Sequence, residues 1–214
     1  MPDFYLASHS ARRRELLLQV GADFGILLVR VAPPRGPDLG EEQHPGESAA
    51  DYVTRVAREK AQFGLRMLAA RALPLRPVLG ADTTVILDGT VLGKPRDDEE
   101  AAAFLRRLSG RMHEVRTAVA LALPGPAGTA TDAGAAGDVR EAVSVSQVRL
   151  RTVDEREIAR YCATGEPRDK AGGYGLQGRA ALFVDRIEGS YSGIVGLPLA
   201  ETAHLLAHAA IPLL

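Results

Sequence analysis

A chain of 214 residues with 46% apolar and 25% charged residues is long enough to bury a substantial core, and its makeup is ordinary for a globular enzyme. A formal net charge of −1 provides no overall field toward nucleic acid or a membrane surface, so any anion must be held by a local basic cluster. The lone Cys162 excludes an internal disulfide framework and cannot build a thiolate metal site by itself.

In chain order, strands and helices alternate. Phe4–Ala7 reads as a short buried strand, followed by a Ser/His/Ser turn and a helix carrying Leu16, Leu17 and Val20. No signal peptide is expected, because Arg12, Arg13 and Arg14 interrupt the start before an apolar stretch develops. No run is apolar for long enough to span a bilayer, and the chain reads as cytoplasmic. Phe24 to Val31 is an aliphatic strand-like run stopped by Pro33-Pro34, and Pro33 to Glu47 reads as a polar loop. Ser48 can cap a long helix on which Tyr52, Val53, Val56, Ala57 and Ala61 follow the helical period. Val78–Gly80 and Thr84–Leu87 look like strand, with Asp88-Gly89 turning the chain into Val91-Leu92. Asp97 or Asp98 caps an Ala-rich helix ending near Ser109-Gly110. His113–Leu123 and Val143–Leu150 are strands joined through a Gly/Ala/Pro linker, Pro124 to Asp138, read as a flexible hairpin tip. Asp154 caps a helix that Gly165 ends, Leu182–Ile187 is a late strand, and Leu199–Ala209 is a final helix.

Three lysines stand against twenty-three arginines, and each borders special sequence. Lys60 ends an amphipathic run, Lys94 opens Lys94-Pro95-Arg96, and Lys170 opens a Gly-rich stretch. Where a chain uses Arg as its general cation, a retained Lys marks places suited to a compact point charge, such as a bound phosphate. The alternative is three leftover solvated lysines.

Three constellations carry candidate chemistry. In Ser8-His9-Ser10-Ala11-Arg12-Arg13-Arg14, three arginines crowd the start of a helix, where the dipole prefers acids. An anion bound there resolves the conflict; otherwise Ser10 is an ordinary cap on a solvated basic turn. In Gly80-Ala81-Asp82-Thr83, an acid directly after an apolar strand end can hold a divalent cation or activate a water, or simply bond its own turn. Glu41 and Glu42 on the preceding loop can add a metal oxygen or stay solvated. Gly173-Tyr174-Gly175-Leu176-Gln177-Gly178 matches a dinucleotide fingerprint in letters alone, since no strand precedes it and no helix follows. What remains is either a structural loop or a close-approach loop in which Gln177 reads a nucleobase edge. Two imitations fail. Ile86 occupies the nucleophile position of a phosphatase-like Asp-Gly-Thr pattern, and His204 and His208 have no third metal ligand beside them.

Taken together, LASHSARRREL, YVTRVAREKA, GADTTVILDG, LGKPRD, LSGRMHEVRTAVAL, YCATGEPRDKAGGYGLQG and GSYSGIVGLPLAET resemble, in order and spacing, the Maf family of nucleoside triphosphate pyrophosphatases. The resemblance covers nearly the whole chain. It departs from the family's Ser-Pro-Arg-Arg at Ala11, which lacks proline's pre-set backbone, and at His9, which replaces a small residue. It implies one domain over residues 1–214, an elongated mixed α/β sheet with flanking helices, and two lobes around a nucleotide cleft. It implies Asp82 as proton acceptor, with Ser8, Arg13, Lys60 and Lys94 in the site, and Arg12, Thr83 and Gln177 setting specificity as in the dTTP/UTP branch. The 7-methyl-GTP branch places other residues at the counterparts of Thr83 and Gln177. A divalent cation, Mg²⁺ or Mn²⁺, is expected on Asp82 and Glu42, and a homodimer is expected, with neither nucleic acid nor membrane as partner. The rival from another class is a non-catalytic, nucleotide-binding regulator of septum formation.

Overall fold

The computed structural model describes residues 1–28, 40–125 and 136–213. Its strands are β1 (Phe4–Leu6), β2 (Phe24–Ile26), β3 (Val78–Leu87), β4 (Thr90–Leu92), β5 (Met112–Pro124), β6 (Ala136–Leu150) and β7 (Val184–Glu188). Its helices are α1 (Ala11–Gln19), α2 (Ala49–Ala70), α3 (Asp98–Leu108), α4 (Glu155–Cys162), α5 (Tyr191–Val195) and α6 (Leu199–His208). The sheet runs β2-β1-β3-β5-β6-β7, with β4 paired to β3. It is mixed: β1 lies parallel to β2 and β3, whereas β4 and β7 pair antiparallel with β3 and β6. Parallel neighbours need crossover connections, and α1 and α2 supply them.

The chain forms two compact units, and β3, β5 and β6 each pass from one to the other. The first holds residues 1–82, 118–143 and 196–214. Its core is rich in small residues: Ala57, Ala61, Leu65 and Leu68 of α2 meet Ala7, Leu27, Val78 and Ala118. Ser48 accepts the Asp51 N–H at 3.1 Å and starts α2 where the sequence places it. Small residues let α2 lie flush on the sheet. A Cβ at Gly80 would stand 2.4 Å from the Ala57 carbonyl oxygen and 2.6 Å from the Ala61 nitrogen.

The second unit holds residues 83–117 and 144–195. Its core joins Leu105 and Leu108 of α3, Ile158 and Tyr161 of α4, and Val85, Val148, Leu150 and Phe183. Asp88 and Gly89 both take positive φ (52° and 74°), the backbone of a tight hairpin whose twist matches its strands. Asp97 and Asp154 cap α3 and α4, and Glu157 completes a capping box on the latter.

Several expectations are corrected. Val78–Leu87 is one continuous strand, so Asp82 lies inside β3 and not after its end. What ends nearby is β1, whose register with β3 stops at Leu6–Leu79. β5 and β6 reach Pro124 and Ala136, into the segment read as linker; the tip of that segment, 126–135, lies outside the described residues, as does 29–39 of the early strand and acidic loop. The Gly-rich stretch folds as short 3-10 turns before β7. Among the described residues no helix is long and apolar enough to cross a membrane.

Candidate active site

The first unit gathers Ser8, Arg13, Glu41, Tyr52, Lys60 and Asp82. Ser8 follows β1 directly, and its hydroxyl accepts from the Ser10 N–H at 3.1 Å and from Arg13 Nη1 at 3.2 Å. Ser10 caps α1 by accepting from Arg13 N–H, and the first turn of α1 contains no acid. Arg13 is buried and its Nε donates to the Gly196 carbonyl at 2.7 Å, which fixes the plane of the guanidinium. Burial pulls Arg13 below its ordinary pKa, while Asp82 and then Glu41 oppose the shift and Arg12 adds to it. Arg12 is half-buried one residue earlier on α1. A buried cation at the positive end of a helix is the arrangement an oxyanion would complete.

Lys60 reaches from α2 to the Asp82 carboxylate at 2.8 Å and to the Glu41 carboxylate at 3.0 Å. The Lys60 and Asp82 side chains are only 10% and 12% exposed, so their pairing is poorly screened. Here the structure distinguishes two neighbouring acids. Glu41 carries the carboxylate at Lys60, whereas Glu42 is exposed and offers its backbone carbonyl to Arg55 at 2.9 Å. Among the described residues no group of three or more His, Cys, Asp or Glu side chains is placed to hold a metal.

Two contributors escaped the sequence reading. Tyr52, read there as an apolar helix residue, donates its hydroxyl to the Glu41 carbonyl at 3.0 Å. Burial first, then Asp82 and Glu41, push its phenol above the ordinary value, so it stays a donor at neutral pH. Arg55 grips Glu47 with two bonds of 2.6 and 2.9 Å, and these hold the Glu47 carboxyl down at about 2. The available signal was spacing: Tyr52 and Lys60 stand eight residues apart, two turns along one helix face.

The other sequence-derived candidates belong to the second unit. Thr83 is bonded through its hydroxyl to Thr117 at 2.9 Å, and Thr117 donates to the Gly193 carbonyl at 2.7 Å. Thr117 has one proton and spends it on Gly193, so Thr83 is the donor of that pair. Lys94 follows β4 and is exposed. Gln177 is exposed in a turn closed by the Gly178 N–H on the Gly175 carbonyl at 3.1 Å. Just before that turn, the Tyr174 hydroxyl meets His113 Nε2 at 2.6 Å inside the core, where burial lowers the His113 pKa to about 4. Lys170 directs its ammonium to the Glu166 carbonyl and the Asp169 carboxylate, both at 2.6 Å.

Comparison with known proteins bears on this arrangement. The family described as Maf-like protein matches residues 3–209. A dTTP/UTP pyrophosphatase of Bordetella parapertussis is 53% identical over 210 residues, 98% of this chain and 94% of that protein. Its counterpart in Aromatoleum aromaticum is 53% identical over 211 residues, 98% of this chain and 96% of that one. That of Nitrosomonas europaea is 50% identical over 207 residues, covering 97% and 94%. A solved structure, the Ham1 protein of Staphylococcus aureus, aligns with a TM-score of 0.41 at 13% identity, over 69% of this chain and 71% of that one, too distant to carry weight. With the match running from Asp3 to Ala209 and half the residues shared with such relatives along nearly their full length, the chain belongs to the Maf family.

Proposed function

We propose that the protein is a nucleoside triphosphate pyrophosphatase that hydrolyses dTTP and UTP to the monophosphate and pyrophosphate. The observation that carries the reading is the buried Ser8–Arg13 pair at the start of α1 together with the buried Lys60–Asp82 pair, whose carboxylate acts electrostatically on Arg13, in a chain half-identical to relatives named for that activity. The start of α1, the Ser8 hydroxyl, Arg12 and Arg13 bind the phosphates, and Lys60 and Lys94 add point charges. Asp82 takes a proton from water as the water oxygen bonds to the α-phosphorus. The bond from that phosphorus to the bridging oxygen breaks, and its electron pair leaves with pyrophosphate. Charge growing on the leaving oxygens is met by cations already in place, so little reorganisation is needed.

The family resemblance implies a divalent cation, and the carboxylates near Lys60 are the donors that could meet one. The Asp82 and Glu41 carboxylates converge on one ammonium at 2.8 and 3.0 Å, an all-oxygen pair suited to a hard ion such as Mg²⁺ or Mn²⁺. Asp82 and Glu41 would hold it, with Glu42 next on the same loop, and the ion would neutralise phosphate charge when bound; an Asp82 held tightly as ligand would not also be the free base. Gln177 carries a donor and an acceptor on one amide, matched to the imide N–H and carbonyl of uracil or thymine. Thr83 and Arg12 complete the specificity set. The same reading expects a cytoplasmic homodimer, which sedimentation measures.

The test is pyrophosphate release from dTTP, UTP, CTP, GTP and 7-methyl-GTP at matched concentrations with Mg²⁺ or Mn²⁺. The highest kcat/KM belongs to dTTP and UTP. A preference for 7-methyl-GTP would move the chain to that branch of the family. No release from any of the five would leave a non-catalytic nucleotide binder.

A further inference from the structure

The turn that carries Gln177 is held from both ends by one carboxylate residue outside the site. Glu166 Oε2 accepts the Arg179 N–H at 3.0 Å, and Oε1 accepts the Tyr161 hydroxyl at 3.1 Å. Tyr161 is itself buried, edge-on to Phe183 with ring centroids 5.4 Å apart, so the carboxylate is anchored to the core. The backbone presses against it: a Cβ at Gly178 would stand 2.0 Å from Glu166 Oε1. At the other end of the turn, a Cβ at Gly175 would stand 2.6 Å from Cε of Lys170, whose ammonium is bonded to the Glu166 carbonyl. Oε2 therefore bonds the end of the turn directly, Oε1 ties the carboxylate to Tyr161, and the carbonyl holds the Lys170 side chain that lies against Gly175. A solvated surface carboxylate would need no such contacts, and an exposed glutamine on a two-glycine turn would otherwise be poorly oriented.

We propose that Glu166 is a positioning residue for base recognition: it holds the Gly175–Gly178 turn so that Gln177 presents its amide in one orientation. This rests on the reading of Gln177 as the base-contacting residue. Presenting the amide loosely would lose selectivity on the scale of one poorly made hydrogen bond, about tenfold.

The experiment measures amide hydrogen exchange and the five-nucleotide panel on Glu166→Ala, Glu166→Gln and Gln177→Glu. In Glu166→Ala the Arg179 and Gly178 amides exchange about tenfold faster, on the same hydrogen-bond scale, while β5 and β6 amides keep their protection. The ratio of kcat/KM for dTTP over GTP falls about tenfold for the same reason. Glu166→Gln, which keeps an oxygen for Arg179 N–H and an NH₂ for the Tyr161 oxygen, restores both. Wild-type exchange at Arg179 in Glu166→Ala, or equal proportional loss on all five nucleotides with selectivity intact, overturns the proposal. Should Glu166→Ala fail to fold, Arg179→Pro deletes the same bond from the other side. Proline suits this first position of a 3-10 turn, and Arg179→Ala controls for the side chain. If Gln177→Glu loses all five equally while Glu166→Ala still frees the Arg179 amide, the brace stands and the base-reading role of Gln177 falls.

Discussion

Gly80→Ala places one methyl between β3 and α2, two residues before Asp82. Its carbon would stand 2.4 Å from the Ala57 carbonyl oxygen and 2.6 Å from the Ala61 nitrogen, both backbone atoms that no rotamer change can remove. Restoring ordinary contact requires α2 to withdraw by about 1 Å, an overpacking strain that costs about 1–3 kcal/mol. For a domain of this size, that is a fall in Tm of roughly 2–12 °C. The same displacement acts on Lys60, which neighbours Ala61 on the helix. Its 2.8 Å bond to Asp82 opens toward about 3.8 Å, outside hydrogen-bonding range. The ammonium can follow only at the expense of its contact with Glu41. Gly64→Ala is the comparison: its methyl meets side-chain carbons, Val78 Cγ1 at 2.7 Å and Ala7 Cβ at 3.2 Å, of which the first can turn aside. Thermal melts paired with pyrophosphate release decide the matter. Gly80→Ala loses more stability than Gly64→Ala and loses turnover out of proportion to the unfolded fraction. Wild-type melting and turnover in Gly80→Ala would refute the idea that close helix–strand approach sets the Lys60–Asp82 contact.

Three further outcomes are expected. Asp82→Asn lowers kcat by about a hundredfold or more, the scale of a lost general base, while nucleotide binding measured by calorimetry survives; near-normal turnover removes Asp82 from that role. Lys60→Arg and Lys94→Arg keep charge but replace a point ammonium with a planar fork, and both lose most of their activity; Tm is little changed at exposed Lys94 and falls at buried Lys60. Wild-type kinetics in both would defeat the argument from lysine scarcity. Stability falls as pH drops from 6.5 toward 4, because buried His113 stays neutral in the folded chain down to about 4 whereas the unfolded chain takes up its proton near 6.5. The contribution is complete above pH 6.5 and amounts to ~3 kcal/mol over the window, so urea melts at pH 7 and pH 4.5 should differ less in His113→Gln.

The fold was legible where signals were local. Ser48 and the period of Val53, Val56 and Ala57 located α2, and Asp88-Gly89 located its hairpin. The strand through Asp82 was misread as ending because Asp82-Thr83 looks like a polar interruption. Its polar groups are satisfied by partners far along the chain, Lys60 for Asp82 and Thr117 for Thr83, and nothing local announces them. Adjacent Glu41 and Glu42 cannot be told apart by spacing; the Tyr52 hydroxyl on one carbonyl and Arg55 on the next decide which side chain meets Lys60. The five-residue α5 is too short for any periodicity to register.

Arg13 takes its carbonyl partner from Gly196, 183 positions further along the chain. During synthesis Ser8, Arg13, Lys60 and Asp82 are all made before Gly196, the acceptor that orients the buried guanidinium. A product cut short before Gly196 would hold all four side chains without the oxygen that aims one of them. The aim of this guanidinium is thus set only once residues far beyond β3 have been made, a consequence of drawing its acceptor from so distant a part of the sequence.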